Sequence, residues 1–259
     1  MWAAASERPA EFFRMTFPSS SSAIGPSGLP RRGFLRAAGL SAAALGLALA
    51  GCGDDDEPEP TTNIPGRLSF GPSTPNADLP ILNYLLLLKQ LEYAFYDKVV
   101  KAFPADLSAA EQTHLRDLRD HELVQQQVLT NAAGANALVV PPFEFTSLTL
   151  TTRAGVLAAA QLLEDTGAGA FLGIVNRLTN SALLALATRM GSVEARHSAL
   201  VRDLRAPGTF SGDDQTDLVV TASGILTGQA IGLTPEQVKT VVAPFLPTLT
   251  ISLDSLPRA

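Results

Sequence analysis

The chain has 259 residues, 46% of them hydrophobic and 17% charged, with a formal net charge of −6. Once an N-terminal leader is set aside, that length suits one domain with a sizeable core. No basic stripe is present, which argues against a nucleic-acid partner, and the single cysteine, Cys52, excludes an intrachain disulfide.

In chain order, the first patterned element is Arg31-Arg32-Gly33-Phe34-Leu35-Arg36, followed by an uncharged Ala- and Leu-rich run from Ala37 to Gly51. The run is shorter than the roughly 20 apolar residues a spanning helix needs, and it suits the core of a signal peptide. The arginine pair resembles a twin-arginine export signal, and Leu49-Ala50-Gly51-Cys52 looks like a lipobox. Residues 1–52 are therefore expected as a leader, with Arg31 and Arg32 directing export and Cys52 carrying the lipid. Either Met1 or Met15 serves as the start. The expected location is the cell envelope outside the cytoplasm, anchored to a membrane by lipid. Residues 53–78, with Asp54-Asp55-Asp56 and several prolines, read as a solvated tether.

Four long helices follow. The first is expected over 79–103, with Asp78 as its cap and Pro80 in its first turn. The second spans 109–133, opened by the capping box Ser108-x-x-Glu111 and closed by Gly134. The third covers 152–178 and the fourth 181–204. Residues 206–259 read as an extension, irregular to Leu233, with a short helix starting at Thr234-Pro235-Glu236-Gln237. Two connections, 104–107 and 179–180, are short enough for antiparallel hairpins. Between the hairpins, residues 134–150 can run the length of a helix at roughly 3.3 Å per residue. Two hairpins joined by one long crossover form an all-α, ferritin-like four-helix bundle. Residues 79–205 are expected to form it.

Read at 100° per residue, each helix places one glutamate on its apolar stripe. Glu92 lies among Ile81, Leu85, Leu88, Tyr96 and Val99, and Glu122 among Leu115, Leu118 and Leu129. Glu164 lies among Leu157, Ala160, Ala168 and Phe171, and Glu194 shares a face with His197, Ala187, Met190 and Val201. Asp97, Asp117 and Asp165 fall off the stripes and are expected in solvent. Each glutamate sits near mid-helix, so all four share one level. Four carboxylates in a core are too costly without cations or shared protons. Two divalent ions, with Glu194-x-x-His197 aiming both side chains at one centre, are the simplest remedy.

Leu91-Glu92-Tyr93-Ala94-Phe95-Tyr96, Leu163-Glu164-Asp165-Thr166-Gly167-Ala168-Gly169-Ala170-Phe171 and Val193-Glu194-Ala195-Arg196-His197 resemble the ferritin-like domain of desiccation-related proteins over residues 78–204. The resemblance implies Glu92, Glu122, Glu164, Glu194 and His197 as ligands of two iron or manganese ions. It also expects Glu-x-x-His on the second helix, where this chain has Glu122-Leu123-Val124-Gln125. Gln125 lacks an imidazole, and His121 and His114 read as solvated or boundary residues. The implied activity is iron oxidation or peroxide removal, with manganese-catalase-like activity a weaker variant. The rival is a non-enzymatic, stress- or desiccation-associated envelope protein whose metal site has decayed. Homo-oligomerisation is left open.

Overall fold

The computed structural model describes residues 66–71, 78–217 and 229–257. The expected leader, with Arg31, Arg32 and Cys52, lies outside the described residues, as does most of the expected tether. Four long helices dominate: α1 Asp78–Lys101, α2 Ala109–Ala133, α3 Arg153–Ile174 and α4 Ser181–Arg205. None of the described helices is long and apolar enough to cross a membrane.

The helix ends follow their local chemistry. Ser108 and Glu111 form a reciprocal capping box at the start of α2. At its far end Gly134 has φ +62° and returns its N–H to Thr130. Thr152 caps α3 by accepting from Gly155, and Asn180 caps α4 by accepting from Ala182 and Leu183. Helix α3 ends at Ile174, sooner than expected, and passes into a 3-10 turn over Val175–Arg177.

The crossover between α2 and α3 runs the length of the bundle. It starts beside Asn83 near the beginning of α1, which donates to Asn136 O at 2.9 Å and accepts from Leu138 N at 2.8 Å. It finishes beside the turn that follows α1, where Arg153 N donates to Asp106 Oδ1 at 2.8 Å. Gln90 also holds it, through Leu138 O at 2.9 Å. Helices α1 and α2 pack as one hairpin and α3 and α4 as the other, the connectivity expected of a ferritin-like bundle.

Asp78 does not cap its own helix. Its carboxylate accepts from Thr179 N at 2.7 Å, Asn180 N at 2.8 Å and Thr179 Oγ1 at 3.1 Å, tying the start of α1 to the α3–α4 turn. Asp78 is only 4% exposed, so Asp78→Ala leaves two backbone donors without partners. We expect it to lower unfolding stability by about 2–3 kcal/mol, read as a shift of the denaturant midpoint at unchanged slope. Asp165, expected in solvent, is also paired. Arg202 grips it at 2.9 and 2.7 Å, and Ser198 Oγ donates to it at 2.5 Å.

Helix α1 is buried on every side from Pro80 to Glu92. Leu82, Leu85, Leu86, Leu87, Leu88 and Leu91 are all buried, and a helix of this kind needs cover all round. The C-terminal extension supplies it. Helix α5, Pro235–Val242, opens with a Thr234–Gln237 capping box. Its Val238 and Val242, with Ile251 and Leu253, face Tyr84, Leu87 and Leu88. Phe245 packs against Phe145 of the crossover, with ring centroids 5.8 Å apart. Gly66–Gly71, inside the segment expected as a tether, also joins this layer. Strand β1, Arg67–Leu68, pairs in parallel with β4, Thr250–Ile251, and Leu68 and Phe70 are buried beneath them. Strands β2, Thr216–Asp217, and β3, Gln229–Ala230, form a second, antiparallel pair where irregular chain was expected. Just beyond β3, Leu233 N donates to Gly169 O of α3 at 2.8 Å. A Cβ on Gly173 would collide with the Leu233 carbonyl, so the glycines of α3 let this strap lie against the helix.

Candidate metal centre

At mid-height the four helices bring their glutamates together. Glu92 of α1, Glu122 of α2, Glu164 of α3 and Glu194 with His197 of α4 are all buried, none more than 4% exposed. Glu122, Glu164, Glu194 and His197 each offer a donor atom within 4.8 Å of the others. Donors on opposite sides of a single ion stand about 4.2 Å apart when each bond is roughly 2.1 Å, so these four need move only slightly to enclose one. Glu122 Oε1, Glu164 Oε2 and His197 Nδ1 are buried and face one another across the centre. Buried polar atoms of this kind call for a ligand.

A residue that the sequence reading overlooked also stands in the cluster. Lys89 is one turn before Glu92 on α1 and is wholly buried. Its ammonium lies 2.8 Å from Glu122 Oε2 and also pairs with Glu92 and Glu194. The ring of Phe171 lies 5.7 Å away on another side. A signal for Lys89 was present, because a lysine with leucines on either side of it has no route to water. Gly167 of α3 makes the space. A Cβ there would collide with the Glu92 carboxylate and come within 2.9 Å of Glu194 Oε2.

Around these groups lies a ring of hydrogen bonds. Tyr96 Oη donates to Glu164 Oε1 at 2.6 Å, and Gln125 Nε2 donates to Glu194 Oε1 at 2.7 Å. His197 points Nδ1 inward, 3.0 Å from Glu122 Oε1 and 3.5 Å from Glu164 Oε2. Its Nε2 faces outward, 3.0 Å from His121 Nδ1. The two rings are nearly parallel, at 14° with centroids 5.2 Å apart. Together with the short N···N distance, that describes an edge-to-edge hydrogen bond. His121, expected as a bystander, is thus coupled to the centre, whereas His114 is not brought to it.

The electrostatics show how much positive charge the cluster attracts. Burial alone would lower Lys89, but the charges of Glu122, Glu194 and Glu92 hold it well above the ordinary lysine value. Burial also disfavours His197⁺, yet Glu122 and Glu164 raise it to about 10. Glu92 is pushed well up by burial, with Lys89 opposing and the other carboxylates adding to the rise. Burial and the charge of Glu122 lift Glu194 to about 7. Burial would raise Glu122, but Lys89 and His197 together outweigh it and take it down to about 2. The cluster as it stands holds protons that a divalent cation would displace.

The donor set therefore fits one transition-metal ion, with three carboxylates and one imidazole. It does not fit two ions equally well, because the carboxylates that a second ion would use surround Lys89. No curated protein matches the chain. A family model described as ferritin-like domain matches residues 77–207, just over half of the chain. With the two-hairpin bundle and the glutamates at its centre, that match settles the classification: the chain belongs to the ferritin-like domain family.

Proposed function

We propose that this is an exported, lipid-anchored ferritin-like protein that binds iron or manganese at the centre of its bundle and serves oxidation or peroxide handling in the cell envelope. The observation that carries the metal reading is the buried convergence of Glu122, Glu164, Glu194 and His197. A bound iron or manganese supplies redox chemistry toward dioxygen or peroxide, and the protein supplies its ligands and a dry surrounding. Export and anchoring are supported by Arg31-Arg32, by the apolar run to Gly51 and by Cys52 after it.

A second reading has an observation of its own. Lys89 already neutralises part of the carboxylate charge, and Gln125 takes the place of an expected histidine. Both are compatible with a non-enzymatic envelope protein whose bundle no longer needs metal. One preparation separates the readings. Protein taken from the membranes of its own host should carry iron or manganese by elemental analysis and require detergent to leave the membrane. Cys52→Ser should release it to the soluble fraction with its metal content unchanged. If the natural protein carries no metal and takes up neither Mn(II) nor Fe(II), the metal reading fails and the non-enzymatic one stands. If the variant stays in the membrane, the anchor is wrong.

A further inference from the structure

Dimetal carboxylate bundles draw one glutamate from each of two helices and a Glu-x-x-His pair from each of the other two. Applied to this chain, one ion position would be served by Glu164 and His197, with Glu122 and Glu194 shared. The other would be served by Glu92 and by residue 125, with the same two shared carboxylates. The two halves differ here in two independent respects. In the first half the donors are intact and stand within 4.8 Å of one another. In the second half residue 125 is glutamine, and its amide already donates to Glu194 at 2.7 Å. The carboxylates of that half, Glu92, Glu122 and Glu194, are the three that pair with the ammonium of Lys89.

We propose that Lys89 is a built-in cation occupying one of the two ion positions, so that the centre takes a single metal ion held by Glu122, Glu164, Glu194 and His197. Four carboxylates with Lys89 carry a net charge of −3, which one divalent ion brings to −1 and two bring to +1, so the division rests on where the ammonium stands and not on the charge total. The ammonium is also directional. Its N–H groups bind Glu122 Oε2 and Glu194 Oε2, which leaves for the metal Glu122 Oε1 and the second lone pair of Glu194 Oε1, whose first lone pair accepts from Gln125. Gln125 suits the same arrangement, because an amide N–H can hold Glu194 without competing for the position of Lys89. The gain and the loss are complementary: an ammonium is present on the side where the imidazole is absent.

The inference rests on the metal-binding reading, and counting ions tests the two separately. Full-length wild type, Gln125→His, and the double variant Lys89→Gln with Gln125→His are stripped with chelator, checked for helicity and titrated with Mn(II) without oxygen. Bound ions are counted by equilibrium dialysis, and electron paramagnetic resonance reports whether they are coupled. Wild type should saturate at one ion per chain, with the hyperfine pattern of an isolated Mn(II). Gln125→His should also stop at one, because the ammonium remains. The double variant should reach two, with the spectrum of an exchange-coupled pair. Two coupled ions in wild type would overturn the proposal. So would two in Gln125→His, or a folded double variant that still stops at one. If the double variant does not fold, the wild-type and Gln125→His counts decide alone. No ion in wild type would instead remove the metal-binding reading itself.

Discussion

Lys89→Met should cost the metal-free protein about 3–5 kcal/mol, the range for removing one partner from a buried ion pair. Methionine fills much of the same volume, so the loss would come from charge and not from a cavity. Glu92, Glu122 and Glu194 are fully enclosed and would lose the ammonium that all three share. At roughly 2–4 °C per kcal/mol for a domain of this size, the melting temperature should drop on the order of 10 °C. Metal should recover much of the loss, because carboxylates freed of the ammonium bind the cation more tightly than in wild type, and the stabilisation grows with the logarithm of metal concentration over its dissociation constant. The measurement is a pair of thermal melts, one in chelator and one in excess Mn(II), for wild type and variant. The distance between the two proteins should be large in chelator and small with metal. A variant that melts within about 2 °C of wild type in chelator would show that the ammonium contributes nothing to the fold.

Much of the bundle could be read from local chemistry. Ser108 with Glu111, and Thr234 with Gln237, announce helix starts within a few residues, and the structure shows both boxes closed. The two short turns and the one long connection followed from counting residues. The spacing of Glu92, Glu122, Glu164, Glu194 and His197 placed each on an apolar stripe, and the structure buries all five at one level. Other features depend on partners far away in sequence. The pairing of Arg67–Leu68 with Thr250–Ile251 joins segments that lie at opposite ends of the described chain, and no local pattern encodes it. Asp78 looks like a cap from its position, but its acceptor oxygens serve Thr179 and Asn180 across the bundle. Lys89 does not stand out from a pattern of apolar residues and acids, because a lysine one turn from a glutamate reads as a solvated pair. The leucines on either side of it are the telling feature, since they leave its side chain no path to water.

The remaining strong prediction concerns the two histidines. His197→Ala should weaken Mn(II) binding on the order of 1000-fold, because it removes the one imidazole among the donors and leaves three carboxylates to hold the ion. His121→Ala should weaken it by roughly 10–100-fold, the usual effect of losing a hydrogen-bond partner behind a ligand. The distinction follows from the orientation of the rings. With Nδ1 of His197 turned toward Glu122 and Glu164, its Nε2 is left to bond His121 Nδ1 at 3.0 Å. Burial and the neighbouring charge of His197 hold His121 below the ordinary histidine value, which suits it to accept the Nε2 proton as a neutral ring. That bond fixes the tautomer whose Nδ1 lone pair faces the ion. His121→Gln, which can still accept through its amide oxygen, should recover part of the affinity. His114→Ala, remote from the centre, should change nothing. Dissociation constants for the five proteins, measured by the same dialysis, give the ranking directly. If His121→Ala binds as tightly as wild type, the bond between the rings does not orient the ligand. If His197→Ala does as well, His197 is a core residue, and the carboxylates alone hold whatever metal is bound.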